Sequence, residues 1–202
     1  MLIIGITGPS GAGKGAVSKY LNEKYGFKVI DADKVYHAII SAPSDCVSEL
    51  AENFGNGILN ENGGIDRKAL SRLVFGDENR DKLLLLNKIT HKYVILEIDR
   101  TVSKLSENGE EVCLIDAPLL IEAGVDKLCD HVIAVVADKS VRADRIAKRD
   151  GIDKDAALLR INSQKPDSFY SEKCDCLLQN DLGLGELGLS VDNFLRNRSI
   201  IK

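Results

Sequence analysis

GPSGAGKGAV, residues Gly8 to Val17, is the stretch from which the rest of the chain can be read. Gly8 to Lys14 fits the phosphate-loop pattern G-x-x-x-x-G-K. In that pattern backbone N–H groups cradle a polyphosphate and the lysine reaches its β- and γ-phosphates. The next residue is normally Ser or Thr, whose hydroxyl binds Mg²⁺. Here Gly15 stands at that position and Ala16 follows. Gly8, Gly11 and Gly13 let the backbone wrap closely around a ligand. The helix that starts at the end of the loop adds N–H groups and the positive end of its dipole.

The flanks support this reading. Leu2 to Ile6, LIIGI, is a short apolar run that reads as a fully buried strand. Val17, Tyr20 and Leu21 follow the loop at helical spacing, and Gly26 closes that helix. FKVIDAD is a second strand ending in acids. Together these form a βαβ opening. A helix is predicted over 33–41, stopped before Pro43, and another over about 44–54. GNGILNENGGIDR is rich in turn residues and reads as a hairpin or loop. From Arg67 to about Ser106 the pattern is mostly helical. Strands return at Glu111 to Asp116 and at His131 to Ala137, with APLLIEAGVDKLCD between them. Helices follow over 140–149 and over 153–164, the latter with Asp153 as N-cap. CDCLLQN is a last strand and Leu184 to Asn197 a last helix. The sum is an α/β fold, a five-stranded parallel sheet flanked by helices, with a helical insertion at about 35–106. No linker divides residues 1–202 into independent domains. Such sheets bind ligands beyond the carboxyl ends of their strands.

With 202 residues, 44% apolar and 29% charged, the chain has the composition of a globular protein with a substantial core. The net charge of −4 has no basic stripe, which argues against a nucleic-acid or membrane-surface partner. No apolar run approaches the ~20 residues of a membrane span. The five cysteines are too scattered for a disulfide framework, so a reduced, cytoplasmic setting is expected. Cys174-x-Cys176 lacks a second Cys or His pair, and no protein metal site is assigned. The three histidines, His37, His91 and His131, are isolated in sequence.

Several side chains are candidates for chemistry. Asp31 and Asp33 end the second strand. Either can cap the helix that follows, and a carboxylate there can accept a proton from a hydroxyl or hold Mg²⁺ through water. Asp33 is the one assigned to chemistry. Asp116 ends an apolar strand, as a Walker-B carboxylate does, and also precedes the turn at Pro118. Arg142, Arg145 and Arg149 share one helical face. They read equally as stabilisers of a transferring phosphate or as a solvated face paired with Asp144 and Asp150. Leu119 and Leu120 suit either a ligand wall or plain packing.

In order along the chain, these segments resemble the dephospho-coenzyme A kinase family. IGITGPSGAGKG resembles its opening strand and loop, and VIDADKVYH its acidic strand end. IDRKALSRLVF and LNKITHKYV resemble parts of its substrate-binding insertion, and DAPLLIEAG its P-L-L-x-E motif. RADRIAKRDG with RINSQ resembles its lid, here about 140–165, and CDCLLQNDLGLGEL its closing strand, turn and helix. The resemblance implies a P-loop kinase fold and transfer of the γ-phosphate of ATP, with Mg²⁺, to the ribose 3′-hydroxyl of dephospho-coenzyme A. It implies a catalytic base at Asp33, with Lys14 and Arg145 on the transferring phosphate. The nucleotide would be held by Gly8, Pro9, Ser10, Gly11, Ala12, Gly13, Lys14, Gly15 and Ala16, with Arg149 in support. The acceptor would meet Asp33, Arg67, His91, Pro118, Leu119, Leu120 and Glu122. Arg142 lies outside the matched motif and is expected to matter much less than Arg145. A monomer or weak homo-oligomer is expected.

The sequence departs from the family in two places. Gly15 replaces the usual Ser or Thr, and His91-Lys92 replaces His-Pro. The loop itself resembles that of cytidylate kinases, and adenylate kinases also carry G-K-G. A nucleoside monophosphate kinase and a weakly catalytic nucleotide-binding module are therefore the competing readings. The first lacks a D-G-R-D-x-G-T-like segment after the third strand. Retention of Lys14, Asp33 and Arg145 argues against the second.

Overall fold

A computed structural model describes residues 1–76 and 78–202. In chain order its elements are β1 (Leu2–Thr7), α1 (Lys14–Tyr25), β2 (Lys28–Asp31), α2 (Ala32–Ser41), α3 (Asp45–Phe54), α4 (Arg67–Val74), α5 (Arg80–Glu107), β3 (Val112–Asp116), β4 (His131–Val136), α6 (Lys139–Asp150), α7 (Lys154–Asn162), α8 (Asp167–Ser171), β5 (Cys176–Gln179) and α9 (Leu184–Asn197). They form two compact units, residues 1–29 with 109–202, and residues 30–108.

The sheet order is β2-β3-β1-β4-β5, with β1, β3, β4 and β5 in the first unit. β1 is central and runs parallel to both β3 and β4, with Ile4 opposite Leu114 on one side and His131 on the other. A strand in that position is covered on both faces, which is why LIIGI, Leu2 to Ile6, is apolar throughout instead of alternating. Ile4, Ile6, Leu114, Ile133 and Val135 pack with Val17 and Leu21 of α1 and Leu187, Val191 and Leu195 of α9. Truncating a fully buried side chain such as Leu21 to Ala costs about 2–5 kcal/mol. On the other face, Gly5 leaves room for Leu120 and Cys129, which a Cβ there would meet at 2.7 and 2.8 Å.

Asp192 of α9 fastens α1 in place. It is only 3% exposed and accepts hydrogen bonds from Tyr20 Oη at 2.9 Å, Lys24 Nζ at 2.6 Å and Tyr25 Oη at 2.8 Å. Burial alone pushes its carboxyl pKa up. The bonds from Lys24, Tyr25 and Tyr20 outweigh burial and hold it below the ordinary range.

The second unit is helical. Ile40, Val47, Leu50, Ile58, Leu70, Val74 and Leu86 form its core. Its turn-rich stretch is a hairpin, with Leu59 bridged to Ile65 antiparallel. The helix expected from Arg67 onward is two helices, because Phe75 caps α4 in an extended conformation and Gly76 follows at φ 119°. α8, after Pro166, was not anticipated. The last helix falls where the sequence places it, over Leu184–Asn197. No helix among the described residues is long and apolar enough to cross a membrane.

Candidate active site

The phosphate loop lies between the end of β1 and the start of α1, and its shape is dictated by its neighbours. Gly8 has φ 135°, and a Cβ there would lie 2.0 Å from the Val135 carbonyl oxygen on β4. Gly13 has φ 103°, and a Cβ there would lie 2.2 Å from Asn180 Nδ2. Both positions are closed to side chains by sterics and by backbone conformation. Asn180 in turn donates to the Ala12 carbonyl at 2.7 Å, tying the loop to the end of β5. Gly13 is the N-cap of α1 and makes no side-chain cap bond, and the first turn carries no acid. The leading N–H groups of α1 have no side-chain cap and suit an anion.

Lys14 Nζ donates to the Gly8 carbonyl at 2.8 Å, so its ammonium is folded back over the loop. Gly15 differs from the other loop glycines. It lies in the first turn of α1, and a Cβ there meets nothing within 4 Å. Nothing in the packing requires glycine at this position.

The three arginines of α6 are not equivalent. Arg142 is 3% exposed; its Nε donates to the Ser10 carbonyl at 3.0 Å and its Nη2 to Gln164 Oε1 at 2.6 Å. Burial lowers its pKa, opposed by the charge of Asp167. Arg145 makes longer contacts, 3.3 and 3.4 Å, to the Gly11 and Ala12 carbonyls. Arg149 is mostly exposed, reaches Ser10 Oγ at 3.4 Å and pairs with Asp150 at 2.7 Å. Asp150 also pairs with Arg160 of α7. The hydrogen bond from Arg149, with that from Arg160, holds the Asp150 carboxyl at about 2. The face is therefore divided: Arg142 and Arg145 bond to the loop, Arg149 is exposed and pairs with Asp150, and Asp144 pairs with Lys154. Arg142, which lies outside the matched motif, is the most buried of the three.

Asp116 ends β3, where the sequence places a Walker-B carboxylate. Its Oδ2 accepts from Ser18 Oγ at 2.6 Å, a buried hydroxyl one turn into α1 that sequence reading passed over. Beyond it, Thr7 Oγ1 donates to the Pro118 carbonyl at 3.2 Å and anchors the P-L-L-x-E turn. Leu119 is 52% exposed, whereas Leu120 is fully buried against the sheet. Leu120 supports that turn from behind and does not form an exposed wall. Glu122 is exposed. Cys174 and Cys176 pack into separate core clusters, so the two thiols do not form a pair. Among the described residues no three His, Cys, Asp or Glu side chains come together as a metal cage.

In the second unit Asp31 accepts from the Lys34 N–H at 3.0 Å and is the cap of α2. Asp33, in the first turn of α2, is exposed. Arg67 begins α4, and its charge acts on Tyr36 of α2. His91 lies on α5, where burial lowers its pKa. A cavity of about 350 Å³ in this unit is lined by Pro43, Val47, Ala51, Glu52 and Leu59, among others. None of the candidate catalytic or binding residues is among those lining it.

A parallel sheet whose first strand feeds a glycine loop, with a lysine, a strand-end aspartate and arginines on the loop, defines a P-loop kinase. Residues 2–186 match the family model described as Dephospho-CoA kinase. The chain is 41% identical over 194 residues to the dephospho-CoA kinase of Fusobacterium nucleatum, covering 96% of this chain and 97% of that protein. It is also similar to a crystal structure from Thermus thermophilus, with a TM-score of 0.78, 28% identity and 97% of each chain covered. The structure of dephospho-CoA kinase from Campylobacter jejuni shares the fold, with a TM-score of 0.61, 24% identity and 96% of each chain covered. The chain belongs to the dephospho-CoA kinase family.

Proposed function

We propose that this chain transfers the γ-phosphate of ATP to the ribose 3′-hydroxyl of dephospho-coenzyme A, the last step of coenzyme A synthesis, in the cytoplasm. Family membership over nearly the whole chain carries this reading, and the phosphate loop supports it. ATP would be held by residues 8–16, with N–H groups directed to its phosphates and Lys14 leaving the Gly8 carbonyl for a phosphate oxygen. Arg145, on two long contacts, gives up little when it turns to the transferring group, where negative charge develops. Arg149 supports the same phosphates.

Asp33 serves as the base that takes the proton of the attacking hydroxyl. Because Asp31 caps α2, Asp33 is not needed for that role. Arg67, His91, Pro118, Leu119 and Glu122 are the acceptor-side residues, with Leu120 behind them.

Mg²⁺ bound with ATP neutralises charge on the β- and γ-phosphates. The donor set fits an ion that keeps most of its waters, as Mg²⁺ does. Asp116, oriented by Ser18, would hold it through those waters.

The test is turnover by the purified protein with ATP and Mg²⁺, offered dephospho-coenzyme A and CMP separately. Phosphorylation of dephospho-coenzyme A with little of CMP is expected. Equal or greater turnover of CMP would overturn the reading.

A further inference from the structure

Among the described residues, Ser10 is the one loop residue with both backbone polar groups taken by side chains from elsewhere in the fold. Its N–H donates to Gln164 Oε1 at 3.2 Å, and its carbonyl accepts from Arg142 Nε at 3.0 Å. Arg142 Nη2 donates to the same Gln164 oxygen at 2.6 Å. The three residues therefore close a ring of hydrogen bonds. Arg142 sits on α6 and Gln164 just beyond the end of α7, whose Ile161 carbonyl accepts its N–H at 3.1 Å. Arg142 is 3% exposed, and among the described residues no carboxylate pairs with it. Its two partners are neutral oxygens. A buried guanidinium is costly unless its donors are satisfied, so its position is tied to that of the loop. The planar fork of Arg allows one side chain to hold two acceptors at once, which an ammonium cannot reproduce in the same geometry.

We propose that Arg142 and Gln164 are positioning residues that clamp the phosphate loop through Ser10, holding the N–H groups that follow in the shape that takes a triphosphate. Neither touches the reacting atoms. The clamp leaves Arg145 and Lys14 as the groups that move, on a loop that does not. The inference rests on residues 8–16 being the nucleotide phosphate site.

The test is calorimetric titration of the full chain with ATP and, separately, with inorganic tripolyphosphate, which probes the loop alone. Gln164→Leu keeps the size and removes the acceptor. It should weaken both ligands about tenfold, the effect of one or two lost hydrogen bonds at roughly 1.4 kcal/mol per tenfold. In turnover, KM for ATP should rise more than kcat falls. Gln164→Glu restores an acceptor for Ser10 and should bring both affinities to within about threefold of wild type on the same scale. Arg142→Lys, which keeps the charge but loses the fork, should weaken tripolyphosphate by about threefold or more, and it reads out the clamp even if Gln164→Leu does not fold. A folded Gln164→Leu or Arg142→Lys that binds tripolyphosphate as wild type does would overturn the clamp. So would a Gln164→Glu no better than Gln164→Leu. A wild-type chain that binds neither ligand would overturn the phosphate-site reading, and the clamp with it.

Discussion

The phosphate loop and the helical unit of residues 30–108 are built on different principles. In the loop the backbone is the working part. Gly8 and Gly13 have no room for a Cβ, and Arg142, Gln164, Asn180 and Lys14 all bond to loop main chain. In the helical unit the candidate residues Asp33 and Arg67 are exposed side chains in the first turns of α2 and α4. A site made of backbone is defined by what its neighbours permit. A site made of side chains on helices is defined only by what it meets. At Gly8 and Gly13 the first has no room for a side chain.

Kinetics can sharpen this contrast. Arg145→Ala should show the larger loss, on the order of 10³-fold in kcat, the low end for an arginine on a transferring phosphate. Asp33→Asn should lower kcat by about 10²-fold, within the range of general-base catalysis. In both variants calorimetric ATP affinity should change by far less than kcat, because the interactions lost are strongest in the transition state. An ATP affinity that falls in step with kcat for Arg145→Ala would make it a ground-state ligand of the loop. A loss of less than about threefold for Asp33→Asn, against the same range, would leave that residue to position its helix.

Acid should reveal how α6 and α7 are joined. Asp150 has its pKa lowered from 3.8 to about 2, first by its hydrogen bond from Arg149 and then by Arg160. A depressed carboxyl pKa stabilises the fold above the unfolded value and loses that contribution as pH falls through the folded one. Amide protection factors in α6 and α7, taken relative to the intrinsic exchange rate at each pH, should therefore fall as pH is lowered from about 4 to 2, over the interval between those two values. Asp150→Asn should be loosened already at neutral pH and lose the acid step. An unchanged acid step in that variant would mean another group is responsible.

The smallest effect belongs to Gly15. Serine fits there, so Gly15→Ser should lower the Mg²⁺ concentration for half-maximal rate, by about two- to fivefold for one added ligand contact. If the variant folds and the requirement is unchanged, the missing hydroxyl does not limit metal use.

The sequence disclosed local signals and concealed distant ones. The loop, the strand ends at Asp31 and Asp116 and the last helix were all legible, because glycine spacing, apolar runs and helical periodicity are properties of neighbours along the chain. Asp31 and Asp33 could be told apart in role only in part. The structure adds that Asp31 caps α2. Nothing along the chain signals the bonds of Arg142, Gln164 and Ser18, because their partners are remote. Ser10 and Gln164 are 154 positions apart, and Ser18 and Asp116 are 98 apart. Leu120 was grouped with Leu119 because adjacent residues of a turn carry no sign of which one faces the core. The break at Gly76 was hidden by good helix formers on both sides, and α8 was too short to show a period.

The acceptor hydroxyl offers the most direct test of the proposed activity. ATP and Mg²⁺ should be supplied with dephospho-coenzyme A and, in parallel, with its 3′-deoxyribose analogue, and phosphoryl transfer followed by ³¹P NMR. A new phosphomonoester on the 3′-carbon of dephospho-coenzyme A, with none formed on the analogue, is the predicted result. Equal transfer to the analogue, or a phosphate found elsewhere on the acceptor, would contradict it.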